Sequence, residues 1–181
     1  RAGLHAADPY AAAAAQHHLP THLTPFVGRE DEIAALLTIL SQPGMRLLTL
    51  LGVGGMGKTR LAVELARASL ERYADGIFFV ALAPLSSADA IPAAIAHALG
   101  IATQASDLQA AVLRFLRDKQ MLLLLDNVEH LLDGVGLVAE IVQAAPQVQI
   151  IATSRARLLI YGEHVHQVDG LAYSAAVDAP A

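Results

Sequence analysis

The sequence predicts an α/β domain, a sheet buried on both faces and flanked by helices. Three observations carry that expectation: a glycine-rich loop between a strand-like and a helix-like run, several short aliphatic runs bounded by turn residues, and helical periodicity between them. Composition agrees. The 181 residues are 55% hydrophobic but only 4% aromatic and rich in Ala and Leu, which suits a helix-rich domain around a buried sheet. Such a length holds one sizeable core with tails, not two large domains.

Residues 1–24 read as a linker containing a short helix, with Asp8-Pro9, the alanines Ala11 to Ala15 and Leu19-Pro20-Thr21-His22 as its marks. His17-His18 has no second ligand pair at a useful spacing, so it reads as solvated linker and not as a metal site. After Thr24-Pro25-Phe26-Val27-Gly28-Arg29-Glu30 comes a helix with Ile33, Leu36, Leu37 and Leu40 on one face, closed by Gln42-Pro43-Gly44.

The most informative stretch is Arg46 to Thr59, an apolar run that breaks into Gly52, Gly54, Gly55, Met56 and Gly57 and ends in Lys58-Thr59. It fits G-x-x-x-x-G-K-[ST], the phosphate-binding P-loop, and Lys58 is one of only two lysines, the other being Lys119. Wrapping a polyphosphate requires inward N–H groups and no intervening side chains, which the glycines allow. A helix from Lys58 through Arg60 to Arg67 would aim its amino-terminal dipole at the same anion. Lys58 would reach the β/γ-phosphates and the Thr59 hydroxyl would ligate Mg²⁺.

Ile77 to Leu82 reads as a buried strand between Asp75-Gly76 and Pro84. Ser86-Ser87-Ala88-Asp89 offers capping for a helix to about Leu99, and Asp107 to Lys119 forms another with Leu108, Val112 and Phe115 on one face. Met121 to Leu125 then ends abruptly in Asp126. Parallel strands present ligand groups at their carboxyl ends, so Asp126 has the Walker B pattern and would hold Mg²⁺, mainly through a water. Glu129 is the nearest carboxylate to orient an attacking water, with Asn127 beside Asp126. Its alternative is to favour the start of a helix whose buried face is Leu131, Leu132, Val135, Val138, Ile141 and Val142. Asp133-Gly134-Val135-Gly136 falls inside that helical pattern and is an accidental D-x-x-G.

Gln149 to Arg155 and Glu163 to Val168 read as the last strands, with Arg155 at the carboxyl edge within reach of a γ-phosphate. His164 and His166 share one face of the final strand and read as packed or solvated histidines. The lack of an N-K-x-D signature argues for adenine over guanine.

Twelve basic against seventeen acidic residues, net −5, give no basic face for nucleic acid. No aliphatic run approaches the ~18 residues of a membrane span, and cysteine is absent. The expected location is the cytoplasm. The sequence opens at Arg1 without a methionine or the pattern of a secretory signal, and is read as a fragment of a longer protein.

Taken in order, VGRE, GVGGMGKT, LLLLLDNVEH, IIATSR and Val168-Asp169-Gly170-Leu171 resemble the signal-transduction ATPases with numerous domains, the STAND group. That group includes the NB-ARC proteins and the large bacterial regulators of the LuxR and AfsR type, and the resemblance covers about residues 24–172. It implies a P-loop NTPase domain over residues 25–172, with a five-stranded parallel sheet in the order 5-1-4-3-2. It also implies an adenine pocket lined by Val27, Gly28 and Arg29, and a sensor arginine at Arg155. Met56 and Arg60 join the nucleotide contacts around the loop. Asn127 departs from the double-acid form seen in many NB-ARC proteins, which would suit slow hydrolysis. Residues 173–181 would lead to further domains of the same polypeptide, with homo-oligomerisation on activation. The expected function is an ATP/ADP-binding switch with slow Mg-dependent ATPase activity in a bacterial regulator. A non-catalytic nucleotide-binding scaffold and a small-substrate kinase are the alternatives.

Overall fold

The computed structural model describes residues 17–21, 26–101 and 107–170. The Ala11 to Ala15 run, Leu171 and the tail 173–181 lie outside the described residues. The strands are β1 (His17–His18), β2 (Leu47–Leu51), β3 (Ile77–Ala81), β4 (Leu122–Asp126), β5 (Gln149–Ser154) and β6 (Glu163–Gln167). The helices are α1 (Glu30–Leu40), α2 (Lys58–Ala68), α3 (Ile91–Ala98), α4 (Leu108–Leu116) and α5 (Val135–Ala144).

All pairings are parallel, and the sheet runs β1-β3-β4-β5-β2-β6. Five of these strands reproduce the expected order, with β5 separating β2 from β4. The sixth is a departure. His17–His18, expected as part of a linker, pairs with Ile77 and Phe78 at the sheet edge, and the His18 ring stacks on Phe78 with centroids 5.5 Å apart.

Strand residues alternate between two cores, as the two-residue period of a pleated strand requires. Leu47, Phe78, Val80, Leu123, Leu125, Ile150 and Ala152 pack with α3, α4 and α5, whereas Leu48, Leu50, Ile77, Leu122, Leu124 and Ile151 pack with α1 and α2. Both faces being covered explains why the strands read as unbroken aliphatic runs. Leu36 and Leu40 are the buried residues of α1, with Ile33 and Leu37 packed beside them. In α4, Asp107 caps the helix by accepting from the Ala110 amide at 3.0 Å, while Phe115 is half-exposed beneath the Lys119 ammonium.

The helix expected to continue from Leu131 begins later. Val128–His130 and Leu132–Gly134 are 3-10 turns, and α5 starts at Val135. Asp133 and Gly134 therefore sit in a turn before the helix and not inside it.

Candidate functional site

β2 delivers the chain into the glycine loop at the carboxyl edge of the sheet. A Cβ on Gly52 would lie 2.7 Å from the Val168 carbonyl oxygen, so the loop passes beneath the end of β6 only with glycine there. Gly57 adopts φ +79° and is the N-cap of α2, so the cap residue has no side chain to bond the first amides, and the first turn holds no acidic residue. Its free amides and dipole face the loop, and an anion is their physical complement.

The polar groups around the loop are held by one another. Lys58 folds back, donating from Nζ to the carbonyls of Gly52 (2.7 Å) and Val53 (3.0 Å). The Thr59 hydroxyl donates to Asp126 Oδ1 at 2.6 Å. Thr153, on the intervening strand β5, donates to the same oxygen at 2.7 Å and accepts from the Asn127 amide at 2.9 Å. Thr59 and Asp126 thus place two hard oxygen donors together at the mouth of the loop, the ligand chemistry that Mg²⁺ requires. These residues fit the ion.

Arg155 leaves β5 and pairs through Nε with Glu129 Oε1 at 3.0 Å. Glu129 lies in the Val128–His130 turn, apart from the start of α5, and its other oxygen is buried without a hydrogen-bond partner among the described residues. Asn127 takes a left-handed conformation, φ +69°, and its side-chain amide donates to His130 Nδ1 at 3.2 Å. His130 Nε2 donates in turn to the Leu85 carbonyl at 3.0 Å, which fixes the tautomer. The amide beside Asp126 is therefore turned toward His130.

On the other side of the loop is a cavity of about 460 Å³ lined by Phe26, Val27, Arg29, Met56, Arg60 and Gly170, with Gly55 and Gly57 at its edge. Val27 is 69% exposed, and the Arg60 guanidinium lies 5.8 Å from the centre of the Phe26 ring. Arg29 is only 9% exposed. It donates to the Met56 carbonyl (3.1 Å), the Asp169 carbonyl (2.6 Å) and Glu32 (2.8 Å). Glu32 also accepts from His166 at 2.8 Å. Burial pushes the Glu32 carboxyl up, but the hydrogen bonds and charges of His166 and Arg29 outweigh it and hold the group below its ordinary value.

The structure thus brings Lys58, Thr59, Asp126, Glu129 and Arg155 to one edge of the sheet and sets Val27, Arg29, Met56 and Arg60 around the adjoining cavity. Gly28 lies outside that cavity and borders the neighbouring one with Glu32 and His166. Sequence reasoning missed Thr153, the second hydroxyl on Asp126. Phe26, which packs at the edge of the core, also lines the cavity, and nothing in the sequence singles it out. The available signal for Thr153 was a hydroxyl next to the carboxyl end of a strand, two residues before the arginine.

A glycine loop joining β2 to α2, at the edge of a parallel sheet in this order, defines a P-loop NTPase fold. The family is narrower: residues 29–172 match the NB-ARC domain, and the chain belongs to that family. It is 42% identical over 128 residues to a Mycobacterium tuberculosis H37Rv protein named as an HTH-type transcriptional regulator, covering 70% of this chain and 14% of that protein. It is 29% identical over 164 residues to the regulatory protein AfsR of Streptomyces griseus, covering 83% of this chain and 16% of AfsR. The chain therefore spans a small part of these relatives. Among solved structures, a STAND protein with a tetratricopeptide repeat sensor from Pyrococcus horikoshii superposes with TM-score 0.54 at 15% identity, covering 84% of this chain and 24% of that one. Cdc6p from Pyrobaculum aerophilum gives TM-score 0.57 at 20% identity, covering 83% and 47%. These two share the fold. The family defines a nucleotide-binding module, and none of the helices among the described residues is long and apolar enough to cross a membrane.

Proposed function

We propose that this domain is an ATP/ADP switch with slow Mg-dependent hydrolysis, acting within a multidomain bacterial signalling or transcriptional regulator of the cytoplasm. The observation that carries the reading is the convergence of Thr59 and Asp126, 2.6 Å apart, at the mouth of a glycine loop whose other side opens on a cavity lined by Phe26, Val27 and Arg29. In this reading the loop amides and Lys58 bind the phosphates, and Lys58 exchanges the Gly52 and Val53 carbonyls for phosphate oxygens. Phe26, Val27, Met56, Arg29 and Arg60 hold the adenosine end, with Gly28 shaping the turn into α1. Thr59 and Asp126 would hold Mg²⁺, which when bound supplies charge neutralisation to the phosphates. Arg155 senses the terminal phosphate. Bound nucleotide would then bias the arrangement of neighbouring domains, with self-association of the full-length protein in the active state and no direct contact to nucleic acid from this segment.

Calorimetric titration with ATP and ADP, with and without Mg²⁺, tests it. Submicromolar to micromolar binding is expected to weaken at least tenfold in Lys58→Ala, and an unchanged affinity in that variant would overturn the assignment.

A second reading, a scaffold that holds nucleotide without turning it over, is favoured by one observation. The position next to Asp126 carries no carboxylate, and Asn127 is engaged with His130. Single-turnover conversion of ATP to ADP separates the two readings. Absence of conversion in the full-length protein would select the scaffold.

A further inference from the structure

We infer that Glu129 is a built-in competitor for Arg155 and thereby sets how strongly the site distinguishes a nucleoside triphosphate from a diphosphate. The inference rests on the reading of the glycine loop as a nucleotide site. Arg155 faces two ways. Its Nε lies 3.0 Å from Glu129 Oε1, while its Nη2 and Cζ lie 3.0 and 3.4 Å from the position that a Cβ on Gly54 would occupy. The same guanidinium therefore rests against the phosphate loop and against a carboxylate.

The two partners differ in freedom. The Arg155 side chain is 63% exposed and that of Glu129 only 15%. Glu129 rides on the turn anchored by the buried Val128. Its second oxygen is buried without a hydrogen-bond partner among the described residues, so taking Arg155 away leaves a poorly solvated carboxylate less compensated. Arg155 is the more exposed member and the one able to leave the pair for a ligand, and its release has a cost.

A terminal phosphate that recruits Arg155 must break this pair. A diphosphate lacks that group and leaves the pair intact. Triphosphate affinity is thus discounted by the strength of the Arg155–Glu129 contact, while diphosphate affinity is not, and the pair tilts the site toward the diphosphate-bound state. Glu129 acts here as a specificity-determining residue through its charge, whether or not the site turns nucleotide over.

The test is calorimetric titration with ADP and with a non-hydrolysable ATP analogue, both with Mg²⁺, on the parent protein, Glu129→Gln, Arg155→Ala and the double variant. Removing the competing charge is expected to tighten the triphosphate analogue about two- to fivefold, the scale of a solvent-accessible ion pair, with ADP changed less than about 1.5-fold. Arg155→Ala should weaken the analogue selectively, and the double variant should match Arg155→Ala because Glu129 then has nothing to compete for. Thermal melts check that each variant folds, and Glu129→Asp, whose shorter side chain loosens the contact with Arg155, takes the place of Glu129→Gln if that variant does not fold and should move the ratio in the same direction. An analogue-to-ADP ratio unchanged in Glu129→Gln, or raised equally with and without Arg155, overturns the inference. If binding is present and depends on Lys58 while the ratio stays fixed, only this inference falls. If the parent binds neither nucleotide, the reading of the site falls with it.

Discussion

Replacing Thr153 by Val tests whether the carboxylate at the end of β4 is held in place by β5. Thr153 is 2% exposed; its hydroxyl donates to Asp126 Oδ1 at 2.7 Å and accepts from the Asn127 amide at 2.9 Å. Valine has the same shape and makes neither bond. A hydrogen bond to a charged group contributes about 1.5–3 kcal/mol, and an amide left without its partner costs roughly 1 kcal/mol more, so folding stability should fall by about 2–4 kcal/mol. For a domain of this size that corresponds to a melting temperature lower by roughly 4–16 °C. Thr153→Ser keeps the hydroxyl and loses one methyl, a cost of about 1 kcal/mol. Differential scanning calorimetry compares the two. Titration of Mg²⁺ at fixed ATP supplies an independent readout: the valine variant should need more Mg²⁺ for half-saturation, because Asp126 then has Thr59 as its remaining hydroxyl partner. A valine variant that melts within about a degree of the serine variant would refute the reasoning.

Three further outcomes follow from single contacts. Thr49 is fully buried in β2 and its hydroxyl has no hydrogen-bond partner among the described residues, so Thr49→Val should stabilise the fold by about 1 kcal/mol, read as a higher urea midpoint. Gly52→Ala sets a methyl against the Val168 carbonyl, and since both are backbone-fixed the change should destabilise by about 1–3 kcal/mol and weaken nucleotide binding in calorimetry. Asp75 is pushed up by burial, but the Lys119 ammonium at 2.9 Å and the Gln120 amide at 2.7 Å more than offset this and hold its carboxyl below the ordinary value. A depressed folded-state value contributes stability above the unfolded-chain value near ~3.9 and loses it as pH falls through the folded one, so the stability gap to Asp75→Asn should be flat above about pH 5 and close below about pH 4. The Asp75–Lys119 pair is partly exposed, and the gap should stay near or below about 1 kcal/mol in urea unfolding across that range.

The parts of the fold legible in the sequence are those that local chemistry dictates. β2 through β5 are covered on both faces, so each writes itself as an aliphatic run, and the glycine loop and Asp126 announce themselves by residue type at fixed spacing. The strand order came from resemblance, since periodicity carries no information on which parallel strands are neighbours. β1 was illegible for a related reason. Its two histidines have no strand-like pattern, and what places the segment is pairing with Ile77 and Phe78, together with the Arg67 guanidinium bonded to the Pro20 carbonyl at 2.6 Å. The late start of α5 escaped because Val128 and Leu131, buried three residues apart, fit a 3-10 turn as well as an α-helix.

Arg29 marks the same boundary inside the candidate site. The V-G-R motif offers it as a candidate nucleotide contact, and it lines the cavity beside the loop. Yet a residue 9% exposed, carrying a full charge, needs its donors met by the protein, and a motif cannot say by what. The partners are carbonyls 27 and 140 residues away in sequence, at Met56 in the loop and Asp169 after β6, and the Glu32 carboxylate that His166 also grips. Arg29 therefore links the start of α1, the phosphate loop and the exit from the last strand through one guanidinium. A displacement of Met56 by a bound ligand would strain the hydrogen bond at Asp169 through a single side chain. The motif locates the residue, but its mechanical role follows only from contacts that the folded chain creates.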